Sequence, residues 1–219
     1  MADNPHMGRF LLAYCLVVIG LCVAVAAQTS AETMQGRTQE FSCLTFPLEL
    51  SHAALSERDG PANVRSAPVF GVDDGPQDGT VVFADRDPMK LEIVWRNSQT
   101  KTNPDWVRTR ENGSRWRTTH GIMVGMDLKT IERMNRRPFR LARLFGLNPG
   151  LIDSWGAGEL EKFDAKGCKV RITVSGPGDG PKVPWSLQKQ VQRGGIFSSG
   201  HPAMQALNPK VSEIYLSHD

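Results

Sequence analysis

The chain has 219 residues, a net charge of +3, 40% hydrophobic and 22% charged side chains, 21 Gly and 14 Pro. That length and balance give one globular domain or a tightly joined pair of small ones, and the Gly and Pro content favours short strands and many turns over a helical bundle. Four cysteines without Cys-x-x-Cys spacing and five histidines without His-x-x-x-His leave metal and dithiol chemistry without a motif.

In chain order, residues 10–27 form the run FLLAYCLVVIGLCVAVAA. A short polar start, an apolar core and small residues at Ala24-Val25-Ala26-Ala27 predict a secretory signal over residues 1–27. An uncleaved anchor is the alternative, although the run, interrupted by Gly20, lies at the low edge of a bilayer span. Export places the remainder in the periplasm or outside the cell. There the two remaining cysteines, Cys43 and Cys168, are expected to pair as one structural disulfide. Residues 28–45 begin polar and without periodicity and read as a flexible leader, followed by a single α+β domain over residues 46–219.

Ser51 caps a brief helix, SHAALSERD, stopped by Gly60-Pro61. Residues 64–70 read as a strand, and DDGPQDG (73–79) as turn chemistry leading into a strand at 80–83. In KLEIVWR (90–96), Leu91, Ile93 and Trp95 share one pleated face. A polar turn joins that strand to residues 106–110, and a further strand begins at Arg115-Trp116-Arg117. Asp127 caps the clearest helix, with Leu128, Ile131 and Met134 on one face and Pro138 at its end. Two strands follow, at 139–145 and 151–155. The cleanest period of two runs from Cys168 through Val170 and Ile172 to Val174. After a Gly- and Pro-rich loop come a helical turn at 202–207 and a last strand at 211–216.

The expected fold is α+β: an antiparallel sheet of short strands with two short helices on one face. The order helix, Pro, strand, strand occurs twice, over 51–95 and 127–155, as a degenerate tandem repeat.

The segments GTVVF (79–83), LEIVWR (91–96), SRWRT (114–118) and GIMVGMDLKTIERMNRRPF (121–139) resemble a group of exported bacterial proteins of uncharacterised function. The unit from 125 to 155 is similar, more distantly, to the helix-plus-sheet module of small outer-membrane assembly lipoproteins and β-lactamase-inhibitor proteins. That resemblance implies binding of another protein through a sheet surface. Arg136 stands where the module carries Gly, and LFGLNPG replaces its aromatic-Gly turn.

No nucleophile elbow, phosphate loop or dinucleotide loop is present, so no catalytic residue, cofactor or metal is expected. The acidic set Asp73, Asp74, Asp78, Asp85 and Asp87 has oxygen ligands for calcium but fits turn chemistry better. Residues 49–85 hold 7 acidic and 2 basic side chains, and residues 86–143 hold 14 basic and 6 acidic. Within the basic stretch, Arg133, Arg136, Arg137, Arg140 and Arg143 are dense enough to grip phosphates or headgroups. Trp106 and Trp116, the latter between Arg115 and Arg117, suit an interface. Trp95 and Trp155 read as core. The expectation is a non-enzymatic, exported binding protein of the cell envelope. Its partner is a protein or an anionic envelope component and not nucleic acid, and only an uncleaved signal contacts the membrane. The alternative is a periplasmic hydrolase or small-molecule-binding protein whose site is assembled from scattered residues.

Overall fold

The computed structural model describes residues 38–71, 75–83, 85, 87–142, 144, 150–163, 167–176, 184–192 and 195–218. The expected signal, Asp73, Asp74 and Arg143 lie outside them. Among the described residues the chain runs β1 (Gln39–Phe41), α1 (His52–Asp59), β2 (Val64–Phe70), β3 (Pro76–Val82), β4 (Leu91–Asn97), β5 (Thr102–Thr109) and β6 (Trp116–Thr118). It continues through α2 (Leu128–Asn135), β7 (Arg140–Ala142), β8 (Ile152–Ser154), β9 (Cys168–Ser175), α3 (Trp185–Gln192), β10 (Ile196–Ser198), α4 (Pro202–Leu207) and β11 (Lys210–His218).

The alternating apolar residues of β9 explain the main sheet. Cys168, Val170, Ile172 and Val174 are buried on one face, and Lys169, Arg171 and Thr173 face the other way. The sheet has six strands in the order β2-β3-β4-β5-β11-β9, every neighbouring pair antiparallel. β11 therefore lies between β5 and β9, opposing β9 from Lys210↔Ser175 to His218↔Cys168. All four helices serve the inner face. Leu55 of α1, Ile131 of α2, Val191 of α3 and Met204 of α4 join one buried cluster with Ile93, Trp95, Val107, Ile172 and Leu216. Each such side chain contributes about 1.5–3 kcal/mol of apolar transfer free energy. Two small sheets complete the structure, a parallel β1–β6 pair and β10-β7-β8.

Helix starts follow the expected caps. The Ser51 hydroxyl accepts the Ala54 N–H at 3.1 Å. The Asp127 carboxylate accepts the Thr130 N–H at 2.9 Å and its hydroxyl at 3.0 Å. Burial pushes the Asp127 carboxyl up, but these bonds, together with Asn208 and the Arg133 charge, outweigh it and hold it below its ordinary value. α2 ends earlier than Pro138, because Arg136 turns into the left-handed region at φ 57° with its N–H on the Arg133 carbonyl. Behind that turn the buried Asn135 side chain donates to the carbonyls of Arg137 and Trp155 and accepts the Leu160 N–H. A non-Gly residue is costly at such a C-terminal position. Arg136→Gly is expected to stabilise the fold by about 0.5–1 kcal/mol, read from the midpoint of urea unfolding.

Several expectations need correction. The residues assigned to a flexible leader include β1, buried Phe41, and Cys43 in a disulfide with Cys168, so the folded region reaches back at least to Gln39. Residues 76–79 are strand rather than turn. Helix α3 joins the two expected ones, and the helical turn expected at 202–207 is the short helix α4. The strands form three sheets, and the two copies of the proposed repeat do not fold alike: 51–95 feeds the six-stranded sheet, whereas 127–155 feeds β10-β7-β8.

The first half of β3 has no partner in β4, since their ladder covers only Gly79 to Val82. The tip of the β2–β3 hairpin curls over the outer face of the sheet, where Arg108 of β5 donates to the Phe70 carbonyl at 2.7 Å. Val69, Val81 and Val94 form a second small core beneath it, with Ala67 and Trp106 packed alongside. Gly79 permits the close approach: a Cβ there would lie 2.5 Å from the Ile93 carbonyl and 2.7 Å from Val69 Cγ2.

Candidate anion-binding surface

The two charge-rich stretches of the chain interleave in space. Asp78 pairs with Lys101 at 2.8 Å, and Asp85 lies 2.9 Å from Lys90 and 3.6 Å from Arg65. The Asp87 carboxylate accepts the Met89 N–H. The described aspartates of the acidic stretch are thus engaged within the fold. Among the described residues no three of His, Cys, Asp and Glu gather as metal ligands.

On the outer face of the sheet, Arg108 is 4% and Glu92 7% exposed. Arg108 Nε and Nη2 hold Glu92 Oε2 at 2.9 and 2.6 Å, and Nη1 lies 3.4 Å from Glu213. Arg110 reaches the other Glu92 oxygen at 3.0 Å, with Lys90 at 3.6 Å. Burial pushes the Glu92 carboxyl up, but Arg108, Arg110 and Lys90 outweigh it and hold it below the ordinary carboxylate value. Burial dominates at Glu213 and raises its carboxyl despite Arg108. Trp106 lies over the Arg108 guanidinium at 4.8 Å. These charges stitch β4, β5, β11 and the β2–β3 tip together.

The arginines after Glu132 behave differently. Arg133 and Arg136, at the end of α2, and Arg137 and Arg140 are all exposed. Arg133 donates to the Thr130 hydroxyl at 2.9 Å. Arg136 is 3.9 Å from Glu159, with side chains 78% and 65% exposed, and Arg140 is 3.6 Å from Asp153. Loose, solvated pairs of this kind contribute little and leave the cations available.

The expected aromatic part of the interface does not join them. Trp116 is 4% exposed: it packs against Phe41 and Phe46 and donates its indole N–H to the Met89 carbonyl. It is a core residue, and its neighbours Arg115 and Arg117, half-buried and exposed, flank a tryptophan that no partner can reach. Trp106 is half-buried on the outer face of the sheet, whereas α2 packs against the inner face, so Trp106 and the α2 arginines lie on opposite sides. Trp95 is core as expected, and Trp155 packs partly buried against Phe139.

Four described side chains of the kinds a hydrolase site uses, His52, Ser199, His201 and His218, are bonded within the fold. His201 Nδ1 accepts the Ala203 N–H as the cap of α4. The fully buried Ser199 hydroxyl donates to Glu132 and accepts the Phe139 N–H. Burial, and then Lys101, hold His52 below its ordinary value. Its neutral Nδ1 meets the Thr80 hydroxyl, which in turn accepts the Trp95 indole N–H. His218 Nε2 meets the Phe46 carbonyl. A groove between β8 and β9 that includes Asp153, Glu161, Lys169 and Arg171 holds about 110 Å³. Small-molecule sites typically span roughly 300–1,000 Å³.

No family model, curated protein or solved structure matches the chain.

Proposed function

We propose that this is an exported, non-enzymatic binding protein of the cell envelope whose arginine-bearing surface, at the end of α2 and on β7, docks onto an anionic envelope component. The carrying observation is the exposure of Arg133, Arg136, Arg137 and Arg140 within eight residues, paired only loosely where they are paired at all. Other arginines of the chain, such as Arg108, are consumed by the fold. The Cys43–Cys168 disulfide suits an oxidising compartment, and the leading apolar run supplies the route there. Among the described residues no helix is long and apolar enough to cross a membrane.

Co-sedimentation with anionic and neutral vesicles tests the reading. The protein is expected to pellet with the anionic vesicles at low salt and to be released as salt rises. At about 1 kcal/mol per arginine, the triple variant Arg133→Ala/Arg136→Ala/Arg137→Ala should bind roughly a hundredfold more weakly. Equal sedimentation of parent and variant, with both folded by circular dichroism, overturns it.

A further inference from the structure

The small sheet β10-β7-β8 places two hydroxyls beside one arginine. Arg140 lies in the central strand and is directly opposite Ser198 of β10 and Ser154 of β8. In a regular antiparallel ladder, as between Arg140 and Ser198, opposed residues project from the same face with Cβ atoms about 4.5–5.5 Å apart. Each hydroxyl oxygen already accepts a backbone N–H, Ser154 from Gly156 at 3.1 Å and Ser198 from Gly200 at 3.2 Å. A lone pair of each oxygen is thereby used and the hydroxyl hydrogen is left to donate outward. Gly200 has the Pro138 ring and the Ser198 hydroxyl within 4 Å of where a side chain would start, so the Arg136–Arg137 turn runs beside this end of the sheet.

The β7–β8 ladder shifts register here: Leu141 opposes Ile152 and Arg140 opposes Ser154. Asp153 is the extra residue of that bulge, and bulges of this kind re-aim side chains. Its carboxylate sits 3.6 Å from Arg140 Nη2, with the two side chains 45% and 59% exposed. It occupies the guanidinium weakly and competes with any incoming anion.

We propose that Arg140, Ser154 and Ser198 form a seat for a phosphate-class oxyanion, with Asp153 as a displaceable occupant of the arginine. A tetrahedral oxyanion offers oxygens both to the guanidinium fork and to the flanking hydroxyls, which a single carboxylate on the neighbouring strand does not. This rests on and deepens the anionic-surface reading, with which it shares Arg140; the seat is read from phosphate shifts in Arg140→Gln, the surface from vesicle release in Arg133→Ala/Arg136→Ala/Arg137→Ala, so the two failures are distinguishable.

The test is titration of the intact folded chain with inorganic phosphate, against chloride at equal ionic strength, followed by NMR at the amides of residues 140, 154 and 198. Saturable shifts in the millimolar range are expected. Arg140→Gln should weaken binding at least tenfold and Ser154→Ala/Ser198→Ala severalfold. Asp153→Asn should tighten it severalfold, which a merely structural salt bridge would not do. Vesicles carrying phosphate monoester headgroups, set against phosphodiester vesicles of equal charge, identify the source. A monoester preference lost in Arg140→Gln supports a lipid headgroup, and phosphate binding without that preference supports a free solute. Absence of saturable shifts, or shifts unchanged in Arg140→Gln, overturns the seat.

Discussion

Replacing Arg108 by methionine is expected to lower the folding free energy by about 3–5 kcal/mol, because it strands carboxylates in a dry site. Glu92 loses both bonds from Arg108 and keeps only Arg110 and Lys90, while Glu213 loses its nearest cation. The Phe70 carbonyl loses its donor, so amides of the β2–β3 tip should exchange faster with solvent. The effect also carries a pH signature. A carboxylate whose folded pKa is depressed contributes stability that is complete above its ordinary value and is lost as pH falls through the folded value. For Glu92 that window lies below 4.5. Without Arg108 the Glu92 pKa rises, so acid destabilisation should begin at higher pH. Glu213 works in the opposite direction, since its raised pKa costs stability when it is ionised and returns it as pH falls. The companion variant Arg108→Met/Glu92→Leu/Glu213→Leu should recover to within about 1 kcal/mol of the parent, as apolar replacements of buried ionic groups commonly do. Urea unfolding of the single variant with a loss below about 1 kcal/mol would show that the network is not the clamp described.

The second large effect belongs to the disulfide. Cys43 and Cys168 are 125 residues apart in sequence, and closing a loop of that length removes on the order of 5 kcal/mol of unfolded-state entropy. The bridge ties the chain just after β1 to the first residue of β9. Beside it, His218, opposite Cys168, also reaches the Phe46 carbonyl. Cys43→Ser/Cys168→Ser is expected to cost about 2–5 kcal/mol and to lower the thermal midpoint by roughly 10 °C. The Phe41, Phe46 and Trp116 cluster still anchors the segment, so the variant should fold at low temperature. A midpoint within about 2 °C of the parent would refute the assignment of this bridge as a major constraint.

Elements whose cause is local were legible in the sequence. Ser51 and Asp127 announce their helices through a cap that acts within three residues, and the period of two in β9 announces which side chains are dry. Where the cause is distant, reading along the chain failed. β1 has no apolar pattern and exists because β6 is available to pair with it. Residues 76–79 carry turn chemistry, yet they are held as strand by β2. Trp116 between two arginines looks like an interface residue until Phe41 and Phe46 arrive from 70 or more residues away. The alternation in KLEIVWR puts Leu91, Ile93 and Trp95 on the inner face, as the structure has them. What the alternation cannot reveal is a hairpin tip folding back over the outer face and converting exposed charges into buried ones. The exposed arginines were visible as a run, but the strand register that sets Ser154 and Ser198 beside Arg140 was not.

The placement of β11 bears on when this chain can fold. It follows every other described strand in sequence and so is made after them, yet it is the strand on which β5 and β9 meet. Before it arrives the main sheet exists only as separate pieces, and neither piece gains the pairing that offsets the entropy of closing so long a chain. Assembly of the main sheet therefore waits on β11. The topology of the main sheet thus serves as its own delay.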